Sequence, residues 1–207
     1  MENCYLDTLQ RFSYTGILIN IESKDVLKLL NTSLTKISES NKENTELPNY
    51  INHFNDLSFP KNSNWRFPND FHITCLFNKG YVRNTDAYRK FENNLKLDVV
   101  IKGLIFIPDK IVTLIVYPEE VHVQNKFPHV TALIKDYKPV DSNLVCELLF
   151  QEGGVLEKEY KKIIDSDLSN KVLEIVELDI KGKREKVYVY KFDTVVKYSG
   201  ITKVYYK

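Results

Sequence analysis

Two of the four histidines open the same short motif, in which an imidazole precedes a threonine by two residues. His72 begins the segment HITCLF (72–77), and His129 begins HVTALI (129–134). Both segments are short, apolar and rich in β-branched residues, a composition that predicts strands. Because residues i and i+2 of a strand share one face, each motif sets a histidine beside a threonine hydroxyl. The sequence therefore repeats one acid/base and hydrogen-bonding unit.

Two such units suit phosphoryl transfer without a metal. Imidazole has an ordinary pKa of about 6.5, so one neutral histidine can take a proton from a nucleophile while a second, protonated one donates to the leaving oxygen. The hydroxyls of Thr74 and Thr131 can donate hydrogen bonds to non-bridging phosphate oxygens, where charge develops. Burial of a strand histidine beside a threonine would explain either motif alone, but it does not explain the repetition.

The two motifs resemble those of the two-histidine (2H) phosphoesterase superfamily, whose His-x-Thr/Ser motifs lie on central strands of a bilobal α+β fold with a pseudo-twofold axis. The resemblance covers roughly residues 14–150, and the short spacing between the motifs is more similar to RNA-repair-like and viral members than to the bacterial RNA ligase type. It implies that His72 and His129 are the catalytic pair and that Thr74 and Thr131 bind the phosphate.

The resemblance also implies a class of reactions that needs neither metal nor cofactor. They are the opening of 2',3'-cyclic phosphates and the cleavage of small nucleotide phosphodiesters flanked by a free ribose hydroxyl. We expect a small substrate with a 2'-5' linkage, such as cyclic GMP-AMP or a 2'-5' oligoadenylate. An RNA-end 2',3'-cyclic phosphodiesterase is the main alternative. A non-catalytic nucleotide-binding module is a second alternative, against which the presence of both histidines argues.

The charge balance bears on the size of the substrate. The formal net charge is +1, with 12 basic and 12 acidic residues in the first 100 positions. Proteins that bind long nucleic acids do so mainly by neutralising many phosphates, so long RNA is the less favoured partner. The segment 181–207 has a local net charge of +6 and is rich in tyrosine. It suggests either an RNA-backbone track or a lysine-edged ribbon whose charges prevent edge-to-edge pairing, which we favour.

Three aromatic residues are candidates for stacking on a nucleobase. Trp65 and Phe67 directly precede the first motif, and Tyr137 follows the second. Aromatic side chains commonly stack on bases at single-stranded sites. For Trp65, anchoring of a loop to the core is an equally good interpretation.

Other chemistry is less well supported by the sequence. His53 and His122 could join a zinc site only in a compact constellation, and neither HExxH nor paired CxxC motifs occur. Cys75 alternates to the face opposite His72, so we expect a buried core thiol rather than a nucleophile. The cysteines, at positions 4, 75 and 146, are widely spaced and odd in number, which favours a reducing compartment.

The order of elements predicts a single α+β domain with a largely antiparallel sheet. We expect a core over about residues 14–150 and a β-rich extension over 155–207. With 207 residues, 43% of them hydrophobic, and no apolar run long enough to span a bilayer, we expect a cytoplasmic protein without membrane contact. The predicted strands are 14–21, 71–77, 97–107, 111–117, 129–134, 174–180, 186–192 and 201–206. We expect helices after Ser23, after Asn84 or Thr85, after Asp141 or Ser142, and near 155–165. A long polar loop is expected over 39–64.

Overall fold

The computed structural model describes residues 12–77 and 92–206, apart from positions 120, 122 and 124. These residues contain seven strands and four helices. The strands are β1 Phe12–Ile19, β2 His72–Phe77, β3 Lys96–Ile107, β4 Ile111–Pro118, β5 His129–Ile134, β6 Leu173–Ile180 and β7 Lys183–Tyr206. The helices are α1 Ser23–Ser40, α2 Leu47–Asn55, α3 Asp141–Phe150 and α4 Glu157–Ile164.

All seven strands belong to one sheet in the order β2-β1-β7-β3-β4-β5, with β6 paired to β7 beside this path. Each of these pairings is antiparallel. The predicted α+β class with a largely antiparallel sheet is therefore confirmed, and the architecture is compatible with a two-lobed fold of the 2H type. The two strands that carry the His-x-Thr motifs, β2 and β5, lie at opposite ends of the strand order.

The sheet is buried on both faces along β3 and β4. Along β3, Leu104 and Phe106 join the cluster that contains the apolar side chains of α1 and α2, whereas Ile105 and Ile107 join the cluster that contains α3 and α4. Successive residues of a strand point to opposite faces, so the two helix pairs cover opposite sides of the sheet. This two-sided burial explains why β3 and β4 consist of nearly continuous apolar runs.

The C-terminal residues form the centre of the sheet. The segments 186–192 and 201–206, which we predicted as separate strands, belong to the continuous strand β7. Its first half pairs with β6 and β3, and its second half pairs with β3 and β1. Because β7 has a neighbour on both sides, the interpretation of this segment as a charged edge ribbon is wrong.

We predicted one long polar loop over residues 39–64. This prediction is wrong, because the segment contains α2. In this helix Leu47, Tyr50, Ile51 and Phe54 follow the helical spacing of three and four residues. The side chain of Asn44 accepts hydrogen bonds from the backbone N–H groups of Glu46 and Leu47 at the start of the helix. The many asparagines around these apolar positions concealed the periodicity.

The hairpins and the remaining described helices occur where the sequence predicts them. Asp109 and Lys181 have positive φ angles of 57° and 56° in the turns that join β3 to β4 and β6 to β7. The helix expected after Asn84 or Thr85 lies outside the described residues. No helix in the described part of the chain is both long and apolar enough to cross a bilayer.

Candidate active site

The fold brings the two His-x-Thr motifs to one cleft. Strands β2 and β5 contact each other although they lie at opposite ends of the strand order. The segment before β2 is held to β5 by two backbone hydrogen bonds between Arg66 and Ile134, of 2.8 and 2.9 Å. The resulting cleft has a volume of about 680 Å³, within the range of small-molecule sites. Its walls include His72, Thr74, His129, Thr131, Tyr14, Tyr205, Arg66, Phe67, Asp70, Ser142 and Asn143.

Strand alternation turns the four motif side chains toward the cleft. Ile73 and Val130, the middle residues of the two motifs, are fully buried on the opposite face. Gly16 in β1 permits the close approach of β2, because a Cβ there would lie 2.7 Å from the carbonyl oxygen of Ile73. The structure therefore brings His72, Thr74, His129 and Thr131 together at one cavity.

The two imidazoles are oriented in the same way. Nδ1 of His129 lies 2.7 Å from the carbonyl oxygen of Phe127, and Nδ1 of His72 lies 3.4 Å from that of Asp70. In both motifs the acceptor is the residue two positions earlier. A carbonyl can only accept, so Nδ1 carries the proton and Nε2 is the nitrogen left for chemistry. The same contact thus holds both rings, as expected if the two motifs act as equivalent units.

Ser142 at the start of α3 adds a hydroxyl to the site that the sequence patterns did not reveal. Its Oγ lies 3.0 Å from Nε2 of His129, 2.9 Å from Oγ1 of Thr131 and 2.6 Å from the carbonyl oxygen of Pro139. The sequence predicts Ser142 only as a helix cap. Its position shortly after the second motif was the available signal, but helix capping accounted for a serine there equally well.

The Ser142 hydroxyl can bond His129 in both protonation states. It has one proton, so it donates either to Nε2 of neutral His129 or to the carbonyl of Pro139. In the second case a protonated Nε2 donates to Ser142 instead. Ser142 can therefore hold the ring of His129 while the histidine gains and loses a proton. Nε2 becomes free for a substrate hydroxyl when Ser142 turns to Pro139.

A stack of aromatic rings supports His72 from the β1 and β7 side. The ring centroid of Tyr14 lies 5.2 Å from that of His72 and 4.3 Å from that of Tyr205, with stacked geometry in both pairs. The hydroxyl of Tyr205 is buried and has no hydrogen-bond partner within the described residues. Tyr205 comes from the segment that we predicted as an extension, so β7 supplies part of the cleft wall.

Burial lowers the pKa values of both motif histidines below the ordinary value. For His72, the nearby Asp70 carboxylate and the Asp70 carbonyl partly oppose this effect of burial on the pKa. For His129, which is only 9% exposed, the hydrogen bond to Phe127 opposes the effect of burial, while the positive charge of His72 lowers the pKa further. Burial thus favours the neutral form of both rings, and the charge of the other histidine adds to this effect at His129, whereas a carboxylate opposes it at His72.

Of the three stacking candidates, only Phe67 lies on the cleft wall. Trp65 is 3% exposed and packs against Phe54 and Phe106 in the core. Tyr137 is 8% exposed and belongs to the cluster beneath α3 and α4. A ring enclosed in this way has no free face for a base, so the predicted stacking roles of Trp65 and Tyr137 are wrong.

The remaining sequence candidates lie apart from the cleft or outside the described residues. His53 is exposed on α2 and contacts the rings of Phe54 and Phe59. His122 lies outside the described residues. Within the described ranges, no three His, Cys, Asp or Glu side chains cluster as metal ligands would. Cys75 is buried as predicted, and burial raises the pKa of its thiol to about 12.

No protein-family profile and no curated protein matches this sequence. Solved structures do match it, and one of them is the crystal structure of a fungal RNA kinase, with a TM-score of 0.51 at 16% sequence identity. The alignment covers 95% of this chain and 46% of that one, so the chain spans less than half of the length of the fungal structure. At this identity the likeness establishes a shared fold.

Proposed function

We propose that the two-histidine cleft is the active site of a metal-independent phosphodiesterase that cleaves small nucleotide diesters next to a free ribose hydroxyl. The observation that carries the proposal is the convergence of two equivalently oriented His-Thr pairs on one cavity. A base, an acid and two hydroxyl donors to phosphate are the set of groups that this reaction needs.

His129 is the general base and His72 the general acid in the proposed first step. His129 takes the proton from the 3'-hydroxyl of a 2'-5' linked nucleotide, and that oxygen forms a bond to phosphorus. The bond from phosphorus to the 5'-oxygen of the second nucleoside breaks, and His72 gives its proton to that oxygen. The products are a 2',3'-cyclic phosphate and a nucleoside with a free 5'-hydroxyl. Water can then open the ring with the two histidine roles exchanged.

Thr74 and Thr131 bind the non-bridging oxygens in this mechanism. Thr131 Oγ1 contacts Ser142 and lies 3.2 Å from the Pro139 carbonyl oxygen in the free site, so it must turn its proton toward the phosphate on binding. Among substrates we favour 2'-5' linkages in cyclic dinucleotides such as cyclic GMP-AMP, or in short oligoadenylates. The attacking 3'-hydroxyl is adjacent to the phosphate in such linkages and needs only orientation.

An RNA-end 2',3'-cyclic phosphodiesterase is the second candidate, favoured by the similarity to the fungal RNA kinase structure. Turnover measured in the presence of a chelator separates the two candidates. The substrates to compare are 2',3'-cyclic mononucleotides, 2'-5' oligoadenylate, mixed-linkage cyclic dinucleotides and RNA with a 2',3'-cyclic end. Cleavage of the 2'-5' substrates with little salt dependence supports the first. Rapid opening of RNA ends alone supports the second. In that case KM should also rise with salt concentration, by about 0.7 log units per neutralised phosphate for each log unit of salt. Binding without turnover of any substrate would contradict both.

The pH dependence tests the assignment of base and acid. Turnover is lost as the pH falls through the pKa of the base and as it rises through the pKa of the acid. Both pKa values lie below the ordinary value, so we expect a bell-shaped kcat/KM profile with its maximum below about pH 6.5.

The Asp70→Asn variant should move one side of that profile. The carboxylate of Asp70 raises the pKa of His72, so its removal lowers that pKa and shifts the alkaline limb toward lower pH. The acidic limb, set by His129, should stay in place. Movement of the acidic limb instead would show that His72 is the base. Asp136→Asn, an exposed carboxylate that pairs with Lys110 away from the cleft, serves as the control.

A further inference from the structure

A second cavity, of about 430 Å³, adjoins the two-histidine cleft. The two share Thr74 and Asn143 as walls, so the second cavity opens beside a proposed phosphate ligand. We call it the side cavity. The other described residues of its lining are Cys75, Asn125, Lys126, Phe127, Glu147 and Gln151.

Hydrogen bonds fix the orientation of the amide of Asn143 at the junction of the two cavities. The backbone N–H of Phe127 donates to Asn125, 3.1 Å away, so the acceptor atom there must be Oδ1. Nδ2 of Asn125 then donates to Oδ1 of Asn143 at 2.7 Å. Nδ2 of Asn143 is the remaining group, and no acceptor for it occurs among the described residues. Asn143 thus presents amide donors beside the phosphate position.

The α3 side of the side cavity bears both donors and acceptors. Asn143, Glu147 and Gln151 are spaced by four residues, which places them along one side of the helix and its end. Glu147 and Gln151 are exposed and line the side cavity but not the two-histidine cleft. Amides and carboxylates can bond the polar edge of a nucleobase, and the opposite charges of Lys126 and Glu147 leave the lining without a net charge to attract a further phosphate. The lining therefore fits a nucleoside better than a continuing nucleotide chain.

We infer that the side cavity holds the second nucleoside of the substrate, so that the preferred substrate is an internucleotide diester with a nucleoside on each side of the phosphate. This inference rests on the proposed phosphodiesterase function. A terminal 2',3'-cyclic phosphate has no second nucleoside, because water takes its place when the ring is opened. The side cavity should contribute to the first kind of substrate and not to the second.

The test compares two substrates that carry the same adenosine on one side of the phosphate and differ in what lies on the other side. Adenylyl-2'-5'-adenosine carries a second nucleoside, and 2',3'-cyclic AMP does not. In the double variant Glu147→Ala/Gln151→Ala, we expect kcat/KM for the dinucleotide to fall by about tenfold or more, as the loss of two hydrogen bonds predicts. For 2',3'-cyclic AMP we expect a change of less than about twofold, within the effect of ordinary surface substitutions. Glu152→Ala, which removes the same charge at an exposed position outside both cavities, should leave both substrates unaffected.

The outcomes separate this inference from the function on which it rests. If the wild-type protein turns over both substrates, the double variant decides the role of the side cavity. An equal loss of kcat/KM for both substrates, or no loss for either, would show that the side cavity is not a nucleoside site, while the proposed phosphodiesterase function would still hold. If the wild-type protein turns over neither substrate in a chelator, the proposed function itself fails. Circular dichroism and thermal unfolding of the variants check that exposed substitutions on α3 have not altered the fold.

Discussion

Replacement of either His72 or His129 by alanine should abolish turnover of the best substrate. We expect kcat to fall by about 10² to 10⁴-fold, the range for loss of a general acid or base. The two histidines act in one proton relay, so the double variant should be little worse than either single variant. The measurement is kcat for the three variants on one 2'-5' dinucleotide.

The fold should survive these substitutions. His72 is half-buried, and His129, although buried, faces the cleft rather than either apolar cluster. A matched control is His53→Ala, which removes an exposed imidazole on α2 and should leave kcat unchanged. Near wild-type turnover in either single variant at the cleft would refute the two-histidine assignment.

Removal of residues 200–207 should abolish both the cooperative fold and the activity. Strands β1 and β2 join the rest of the sheet through the pairing of β1 with this end of β7. The buried Thr202 also ties this end to the chain before β3, because it accepts a hydrogen bond from the N–H of Leu95 and donates to the carbonyl of Glu92. Small domains have a total stability of only about 5–15 kcal/mol, which the loss of a central pairing can exceed. Thermal unfolding followed by circular dichroism is the measurement.

A charge variant separates this structural role from RNA binding by the basic segment. Lys183, Lys186 and Lys203 are exposed along β7. Their combined replacement by glutamine removes three charges and keeps the strand, so we expect a wild-type unfolding temperature and unchanged KM for a dinucleotide. A truncated protein that still unfolds cooperatively would contradict the central role of β7. In the glutamine variant, a large rise in KM for RNA with a 2',3'-cyclic end, with KM for the dinucleotide unchanged, would revive the RNA-backbone track.

Much of the fold could be predicted because its signals are local. The hairpin of β3 and β4 joins neighbouring apolar runs through a short turn at Pro108, Asp109 and Lys110. The motif strands were recognisable from their apolar residues. By contrast, the place of β7 depends on pairing with β1, at the other end of the chain, and local patterns carry no information on such distant partners.

The candidate site was predictable only in part, for a related reason. Repetition marked His72 and His129, but their shared contacts to carbonyls two residues earlier depend on the path of the chain just before each strand. Tyr205 reaches the cleft through the unforeseen β1–β7 pairing. Trp65, next to the first motif in sequence, instead fills the core beside Phe106, because proximity along the chain does not decide which face a large ring occupies.

The most direct test of the two-histidine mechanism is to follow cleavage of adenylyl-2'-5'-adenosine by chelator-treated wild-type protein with ³¹P NMR. We predict that a 2',3'-cyclic phosphate signal appears as the diester signal declines, and that the His129→Ala variant shows no such signal. Direct appearance of a linear monophosphate without the cyclic species, or turnover that stops in chelator and returns with a divalent metal, would contradict attack by the ribose hydroxyl at a two-histidine site.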